Sequence, residues 1–404
     1  MKTNLKTISL ALFAIMISSC AQQPTLMERA EKLQRSILTL DTHCDTPMSL
    51  LSPTFDVTKE GNGCVDFPKM QKGSLTIESF AVFTPQKSGD DYVEAMYAKA
   101  KRLYDTMQCI VAANPEIVGM VSCPDDMYEL KKQGKLGILP TMENSLPIGN
   151  DIARVDTLYG MGARMFGLCH SYNNNICDSS SDAEGAVFGG LSPFGEQLVT
   201  RLNEIGAMID VSHASDETFY DVIKLSKTPI VASHSSVRAL TNHDRNFTDD
   251  MLKALKGNGG VIQICILDRY IKEFPKDEAY EAEISAAREA YYKTPKSDTT
   301  AVRKARAALS EIKSRYPEQN ACIKDYVDHI DYVAKNIGVD YVGIGTDFDG
   351  GGGVIDCKDV SQLIGITAEL ISRGYSDVDI EKIWGGNFIR VFNEVIAYSK
   401  TLGC

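Results

Sequence analysis

Eight short apolar, β-branched segments recur along this chain with helical stretches between them, and that alternation restricts the fold more than any other feature. The segments are Ile37–Asp45, Leu75–Phe83, Lys135–Asn144, Ala163–His170, Ala207–His213, Pro229–His234, Gly260–Leu267 and Tyr341–Asp347. Near-continuous apolar runs of this length read as strands buried on both faces. Helix-period patterns stand between most of them, at Asp90–Ala113, Phe194–Ile205, Ser215–Leu225 and Thr248–Lys256. Eight strand–helix units predict an α/β fold of the (β/α)8 TIM-barrel type. The competitor is a doubly wound open sheet, which usually carries a glycine-rich nucleotide turn after its first strand; GxGxxG is absent. Residues of about 268–339, between strands seven and eight, are rich in Ala, Glu, Lys and Arg. They read as a helical insertion with surface helices near Glu281–Tyr292 and Thr300–Arg315.

The first residues are an address and not part of this fold. Lys2 and Lys6 precede an apolar stretch from Ile8 to Ile17, followed by Ser18-Ser19-Cys20. A positive start, a short apolar core and small residues before a cut form a secretory signal. A Cys directly after the small pair resembles the bacterial lipoprotein signal, which implies cleavage before Cys20 and lipid on its thiol. The expected organisation is a signal peptide over 1–19, a lipidated Cys and tether over 20–33, and one barrel domain over 34–404. The protein would then be exported and lipid-anchored to a bacterial membrane, facing the periplasm or the surface. No apolar run reaches the roughly 20 residues that cross a bilayer. The chain has 42 Lys and Arg against 54 Asp and Glu, a net charge of −12, so it lacks the basic footprint that nucleic-acid binding requires. Cys44, Cys169 and Cys265 lie in strand-like runs, where free buried Cys is common. No CxxC pair occurs, which disfavours a cysteine zinc site.

Polar residues collect where the predicted strands end, which is where barrels of this type carry their chemistry. The first ends Asp41-Thr42-His43-Cys44-Asp45, the third at Glu143, the fourth at His170, the fifth at His213, the sixth at His234 and the eighth at Asp347. His43 and Asp45 are two apart, so on an extended strand they point the same way. Four of the six histidines therefore stand on four different strand ends with carboxylates among them. Neutral imidazole and carboxylate are the donors expected for zinc or similar ions. Of the other two, His243 stands in a loop beside Arg245 and reads as its support, and His329 falls in a helical stretch, Asp325–Lys335. Asp349 reads as structural, and the glycine run Gly350–Gly353 as a flexible loop, because no basic residue accompanies it before Lys358.

The ordered segments Asp41-Thr42-His43-Cys44-Asp45-Thr46-Pro47, Glu143, Gly167-Leu168-Cys169-His170-Ser171-Tyr172-Asn173-Asn174, Ile209-Asp210-Val211-Ser212-His213, Ala232-Ser233-His234-Ser235-Ser236, His243-Asp244-Arg245-Asn246, Gly345-Thr346-Asp347-Phe348-Asp349-Gly350 and Trp384-Gly385-Gly386-Asn387-Phe388 together resemble the membrane dipeptidase family of renal dipeptidase-like metallopeptidases. The resemblance implies a (β/α)8 barrel, two Zn2+ per subunit and hydrolysis of dipeptides by a metal-bridging hydroxide. It implies that His43 and Asp45 bind one zinc, His213 and His234 the other, and that Glu143 bridges them. His170 would contact the reacting carbonyl and its oxyanion, Arg245 would hold the substrate's terminal carboxylate, and Asp347 would be the acid/base residue. The family is commonly dimeric, so a homodimer is an expected partner beside the dipeptide. Three departures stand out: Asn144-Ser145 where the family usually has glycine after the bridging Glu, Asp244 where it usually has Pro before the arginine, and an insertion after strand seven longer than the resemblance leads one to expect.

The residue types suit this chemistry independently. Two metals about 3.5–4 Å apart can share one water, lower its pKa toward neutral and polarise a carbonyl. A guanidinium pairs bidentately with a free carboxylate, which would favour dipeptides over interior bonds. Two rival readings remain: another binuclear-metal amide hydrolase, whose cyclic substrates have no need of Arg245, and an inactive surface-anchored binding lipoprotein. A serine hydrolase is disfavoured by the lack of GxSxG, and the short zinc-protease helix motif HExxH is also missing.

Overall fold

The computed structural model describes residues 24–86, 90–275, 277–295, 298–316 and 320–403. The signal segment and Cys20 lie outside them. Among the described residues the strands are β1 Leu40–Cys44, β2 Ile77–Phe83, β3 Val118–Met120, β4 Leu136–Glu143, β5 Met165–Gly167, β6 Met208–Asp210, β7 Val231–Ser235, β8 Val261–Ile264 and β9 Val342–Ile344. All pairings are parallel, in the order β1-β2-β4-β5-β6-β7-β8-β9. A parallel bridge between Cys44 and Phe348 brings the last edge to the first. The Asp347 N–H donates to the His43 carbonyl at 3.1 Å and the Asp45 N–H to the Phe348 carbonyl at 2.8 Å. The eight expected strands are thus present in a nearly closed parallel barrel. The short β3 is additional. It pairs with the first half of β4, on an edge that the three-residue β5 leaves uncovered.

Helices form where caps and an apolar stripe coincide. Ser192, Ser215 and Thr248 accept from the N–H groups of Gly195, Thr218 and Met251, and Gly206 and Gly259 close two of these helices in the left-handed region. Inside the barrel, Leu40, Ile77, Leu139, Met165, Met208, Val231 and Val261 form one buried cluster with Phe388, Val391 and Phe392 of the last helix, Asn387–Thr401. This apolar plug fills the end where the strands begin, so polar groups are confined to the end where they finish.

Two expected boundaries move. The tether does not reach residue 33, because Leu26–Ser36 is a helix with a capping box between Thr25 and Glu28. Its Ala30 and Leu33 are buried, and Gln34 donates to the Gly73 carbonyl at 2.6 Å. Residues from Thr25 on therefore belong to the folded domain. Within the expected insertion, Glu278–Lys293 and Thr299–Arg315 are mainly solvent-facing helices. Ile323–Asn336 instead buries Ile323, Tyr326, Val327, Ile330 and Val333 and belongs to the barrel's helical layer. No helix among the described residues is long and apolar enough to cross a membrane.

Candidate metal centre

Backbone irregularity places the site. The β1–β2 register shifts between Asp41 and Cys44, and the β7–β8 register shifts between Ala232 and Ser235. Such bulges re-aim side chains, and here they bracket His43 and His234. Thr42 also faces the interior, donating to the Ser233 carbonyl at 2.7 Å. The two-residue spacing of His43 and Asp45 is therefore not the reason they converge. β1 ends at Cys44, and Asp45 stands in the turn that opens a short 3-10 helix, Thr46–Ser49. Cys44 packs in the outer core. His213 and Asp347 adopt positive φ of 71° and 60°, which non-glycine residues hold only when their surroundings impose it.

These departures gather His43, Asp45, Glu143, His170, His213, His234 and Asp347 into one cluster. The Glu143 carboxylate stands at its centre. Its Oε1 lies 3.0 Å from His213 Nε2, 3.6 Å from His234 Nε2 and 3.7 Å from His170 Nε2, while its Oε2 lies 3.7 Å from His43 Nε2. The two oxygens thus face two different sets of donors. His43, Asp45 and Glu143 could share one ion, as could Glu143, His170 and His213, or His43, His234 and Asp347. His43 Nε2, Asp45 Oδ1 and Glu143 Oε2 are buried with no hydrogen-bond partner. Orphaned buried donors and acceptors are costly, and a divalent cation would satisfy all three.

The electrostatics agree with that fit. Burial, then the Arg245 charge, pushes His43 down to about 3 and His170 down to about 4. Burial also holds His213 and His234 well below the usual range. Neutral imidazoles offer lone pairs, the state that binds metal. Burial raises Asp45 to about 6 and pushes Glu143 and Asp347 well up; repulsion adds to it, from Asp349 on Asp45 and from Asp45 on the other two. Cations in the cluster would reverse that repulsion.

The surrounding loops hold the remaining candidates. Arg245 is 4% exposed; its Nη2 donates to the His234 carbonyl at 3.2 Å, and its N–H donates to His243 Nδ1 at 3.1 Å. His243 therefore supports the arginine loop. His329 is buried and joins the loop after β7 to the short helix Asp268–Ile271, accepting from the Val237 N–H at 3.0 Å and meeting the Ile271 carbonyl at 3.1 Å. Asp349 accepts from Thr46 Oγ1 and the Cys64 N–H, each at 2.7 Å, and is structural. The glycine run is held by backbone hydrogen bonds: Gly350 and Gly352 donate to the Asp347 carbonyl and Gly353 to that of Ile266. A Cβ on Gly350 would collide with the carboxylates of both Asp347 and Asp45. Asn144 adopts φ 65°, which explains a residue where glycine is usual, since Asn tolerates this region. Its side chain donates to the Thr84 carbonyl at 2.9 Å and accepts from Asn174 at 3.1 Å.

The membrane dipeptidase family model, peptidase family M19, matches residues 27–403. The chain belongs to the membrane dipeptidase family. It is 27% identical over 411 residues to dipeptidase ataJ of Aspergillus terreus, covering 94% of this chain and 90% of that one. It superposes with a TM-score of 0.82 on the crystal structure of the probable dipeptidase PvdM from Pseudomonas aeruginosa, at 35% identity over 92% of this chain and 99% of that one. A metallopeptidase from Rhodobacter sphaeroides, liganded with a phosphinate mimic of the dipeptide L-Ala-D-Ala, shares the fold with a TM-score of 0.72 at 21% identity, over 89% and 99% of the two chains.

Sequence reasoning missed the layer behind the histidine–carboxylate cluster. Asp41 accepts from the Thr346 N–H at 2.8 Å and from its hydroxyl, tying β1 to the Asp347 loop. Asp210 accepts from the Ser212 and Ser233 N–H groups, both at 2.9 Å. Cys265 Sγ lies 3.9 Å from Asp347 Oδ2. The available signal was the recurrence of Asp two residues before a site residue or its serine neighbour.

Proposed function

We propose that the protein is a zinc-dependent dipeptidase that hydrolyses the peptide bond of small dipeptides, exported and anchored by lipid on Cys20. The observation that carries this reading is the Glu143 carboxylate, whose two oxygens face separate donor sets, with a buried cation, Arg245, beside them. His43 and Asp45 would hold one zinc, His213 and His234 the other, with Glu143 between. When bound, the pair supplies an activated water at neutral pH and polarises the scissile carbonyl.

This chain's own residues do the rest. Arg245 pairs with the free carboxylate of the substrate and so fixes the distance from its C-terminus to the reacting bond. His170 is mostly buried but partly exposed, packed on Phe83 and His213 at centroid distances of 4.6 and 4.2 Å. It is neutral above about pH 4, so one ring N–H remains to donate to the developing oxyanion. Asp347 lies with Oδ1 3.9 Å from His43 Nε2. Burial and Asp45 raise its proton affinity, which suits a group that takes a proton from the attacking water and delivers it to the leaving amine. Arg245 disfavours the rival reading of cyclic-amide hydrolysis, because such substrates present no carboxylate to it.

The test is to assay the mature protein on a dipeptide panel, with N-acetylated dipeptides and tripeptides as controls, with added zinc and with chelator. Cleavage of free dipeptides that chelator abolishes and zinc restores is expected. Two bound metals without cleavage of any dipeptide would sink the proposal.

A further inference from the structure

His234 differs from His213 in what stands behind it. The Nδ1 of His213 is buried without a hydrogen-bond partner. The Nδ1 of His234 lies 2.8 Å from Ser233 Oγ, and Ser233 Oγ lies 2.6 Å from Asp210 Oδ2. Asp210 is buried beneath the site, and its Oδ1 is occupied by the N–H groups of Ser212 and Ser233.

Proton counting sets the direction of this chain. Two N–H groups on Oδ1 and a hydroxyl on Oδ2 bring three donors to Asp210, the set that an ionised carboxylate accepts. An ionised carboxylate only accepts, so the Ser233 hydroxyl donates its single proton to Asp210. The serine oxygen then offers His234 only lone pairs, so Nδ1 must carry the imidazole proton. A neutral imidazole has one N–H, which leaves Nε2 bare. That Nε2 faces Glu143 Oε1 at 3.6 Å and His213 Nε2 at 3.0 Å.

We infer that Asp210 and Ser233 are positioning residues that lock His234 in its Nδ1–H tautomer and so present a bare Nε2 to the metal pair. The residues Asp, Ser and His are all present, yet they form no nucleophilic triad. The serine oxygen lies behind the imidazole, on the side away from Glu143, and is spent on Asp210. The His234 N–H donates to Ser212 Oγ at 3.0 Å, which holds the backbone of the bulge to the same group. A second carboxylate behind the ligand also raises the basicity of Nε2. The inference rests on the proposed metal dependence.

Asp210→Asn tests it with almost no change of shape. The Asn oxygen must still accept two N–H groups, so its NH2 faces Ser233 and donates to it. Ser233 then donates to Nδ1, and His234 is driven to the Nε2–H tautomer, with a proton where the metal belongs. The same logic governs an Asp→Asn change behind a catalytic histidine. Ser233→Ala removes the relay without reversing it and serves as the second variant. Two measurements decide: ring-nitrogen NMR of the metal-free proteins, which reads the tautomer directly, and zinc affinity by chelator competition. The expected outcome is Nδ1–H for His234 in the wild type, Nε2–H in Asp210→Asn, and zinc affinity weakened by roughly 10–100-fold at one of two sites. Ser233→Ala should show mixed tautomers and a smaller loss. A His234 that stays Nδ1–H in both variants, or unchanged zinc affinity, overturns the inference. Wild-type protein that binds no zinc overturns the proposed function instead, and the metal-free NMR spectrum still judges the relay alone.

Discussion

Replacing Arg245 by Met, in parallel with capping the substrate carboxylate as an amide, isolates the contact on which the proposed choice of dipeptides depends. Arg245 is 4% exposed and its Nε has no hydrogen-bond partner. Tyr270 flanks it, with the ring centroid 5.6 Å from the guanidinium carbon. Among the described residues no carboxylate pairs with it, so an incoming carboxylate meets an unpaired, desolvated cation. Removing one partner of such a pair costs roughly 2–5 kcal/mol. At 1.36 kcal/mol per tenfold, that is roughly 30-fold to several-thousand-fold in kcat/KM. Methionine keeps much of the stem volume and leaves no buried charge behind.

Four measurements close a cycle: wild type and Arg245→Met, each on a dipeptide and on its C-terminal amide. Either change alone should cost the full factor, and the second change should add little, because the interaction is already gone. The Arg245 charge also helps keep His43, His170, His213 and His234 unprotonated. Metal content must therefore be measured at the assay pH, so that loss of zinc is not mistaken for loss of the clamp. If the wild type cleaves amide and free acid equally well, or if the variant loses as much on the amide as on the acid, Arg245 does not bind the substrate carboxylate.

Two further outcomes are expected. Asp347→Asn should lower kcat by roughly 10²–10⁴-fold, the range for losing a general acid/base, with metal content unchanged by elemental analysis; loss of metal would instead make Asp347 a ligand beside His43 and His234. His329 reports on pH through the fold: burial holds it down to about 4 against an ordinary value of 6.5. Between those values the unfolded chain binds a proton that the folded chain refuses, so its contribution is complete above 6.5 and is lost as pH falls toward 4. From pH 7 to pH 5 the loss is about 2 kcal/mol. Urea unfolding at both pH values should therefore show a stability drop in the wild type larger by that amount than in His329→Gln, and equal drops would refute the assignment.

The barrel was legible because strands buried on both faces write continuous apolar runs, and helices between them write a different period. The three-residue β3 writes neither, and its pairing follows from how short β5 is. The site was legible as a set of residue types at strand ends, since four histidines on four strands have few other uses. Its geometry was not, because Glu143 ends a regular strand but several other donors are aimed by departures from regular structure. His43 and His234 sit at register shifts, and His213 and Asp347 at positive φ, so side-chain alternation predicts the wrong direction for them.

The supporting layer was hidden for a related reason. Asp210 and Ser233 look like polar residues that end a strand, and nothing in their spacing says which of them donates. That direction follows only once the carboxylate, the hydroxyl and the imidazole are seen in a line and their protons are counted. Asn144 is the instructive reverse case. Measured against the expected glycine it looks like a loss of fit, yet glycine and asparagine share access to the left-handed region that this turn needs. The asparagine adds what glycine lacks, a side chain that bonds the loop after β2 and the loop after β5 to the end of β4. A substitution beside Glu143 that would look disruptive by residue type is therefore one that tightens the frame around it.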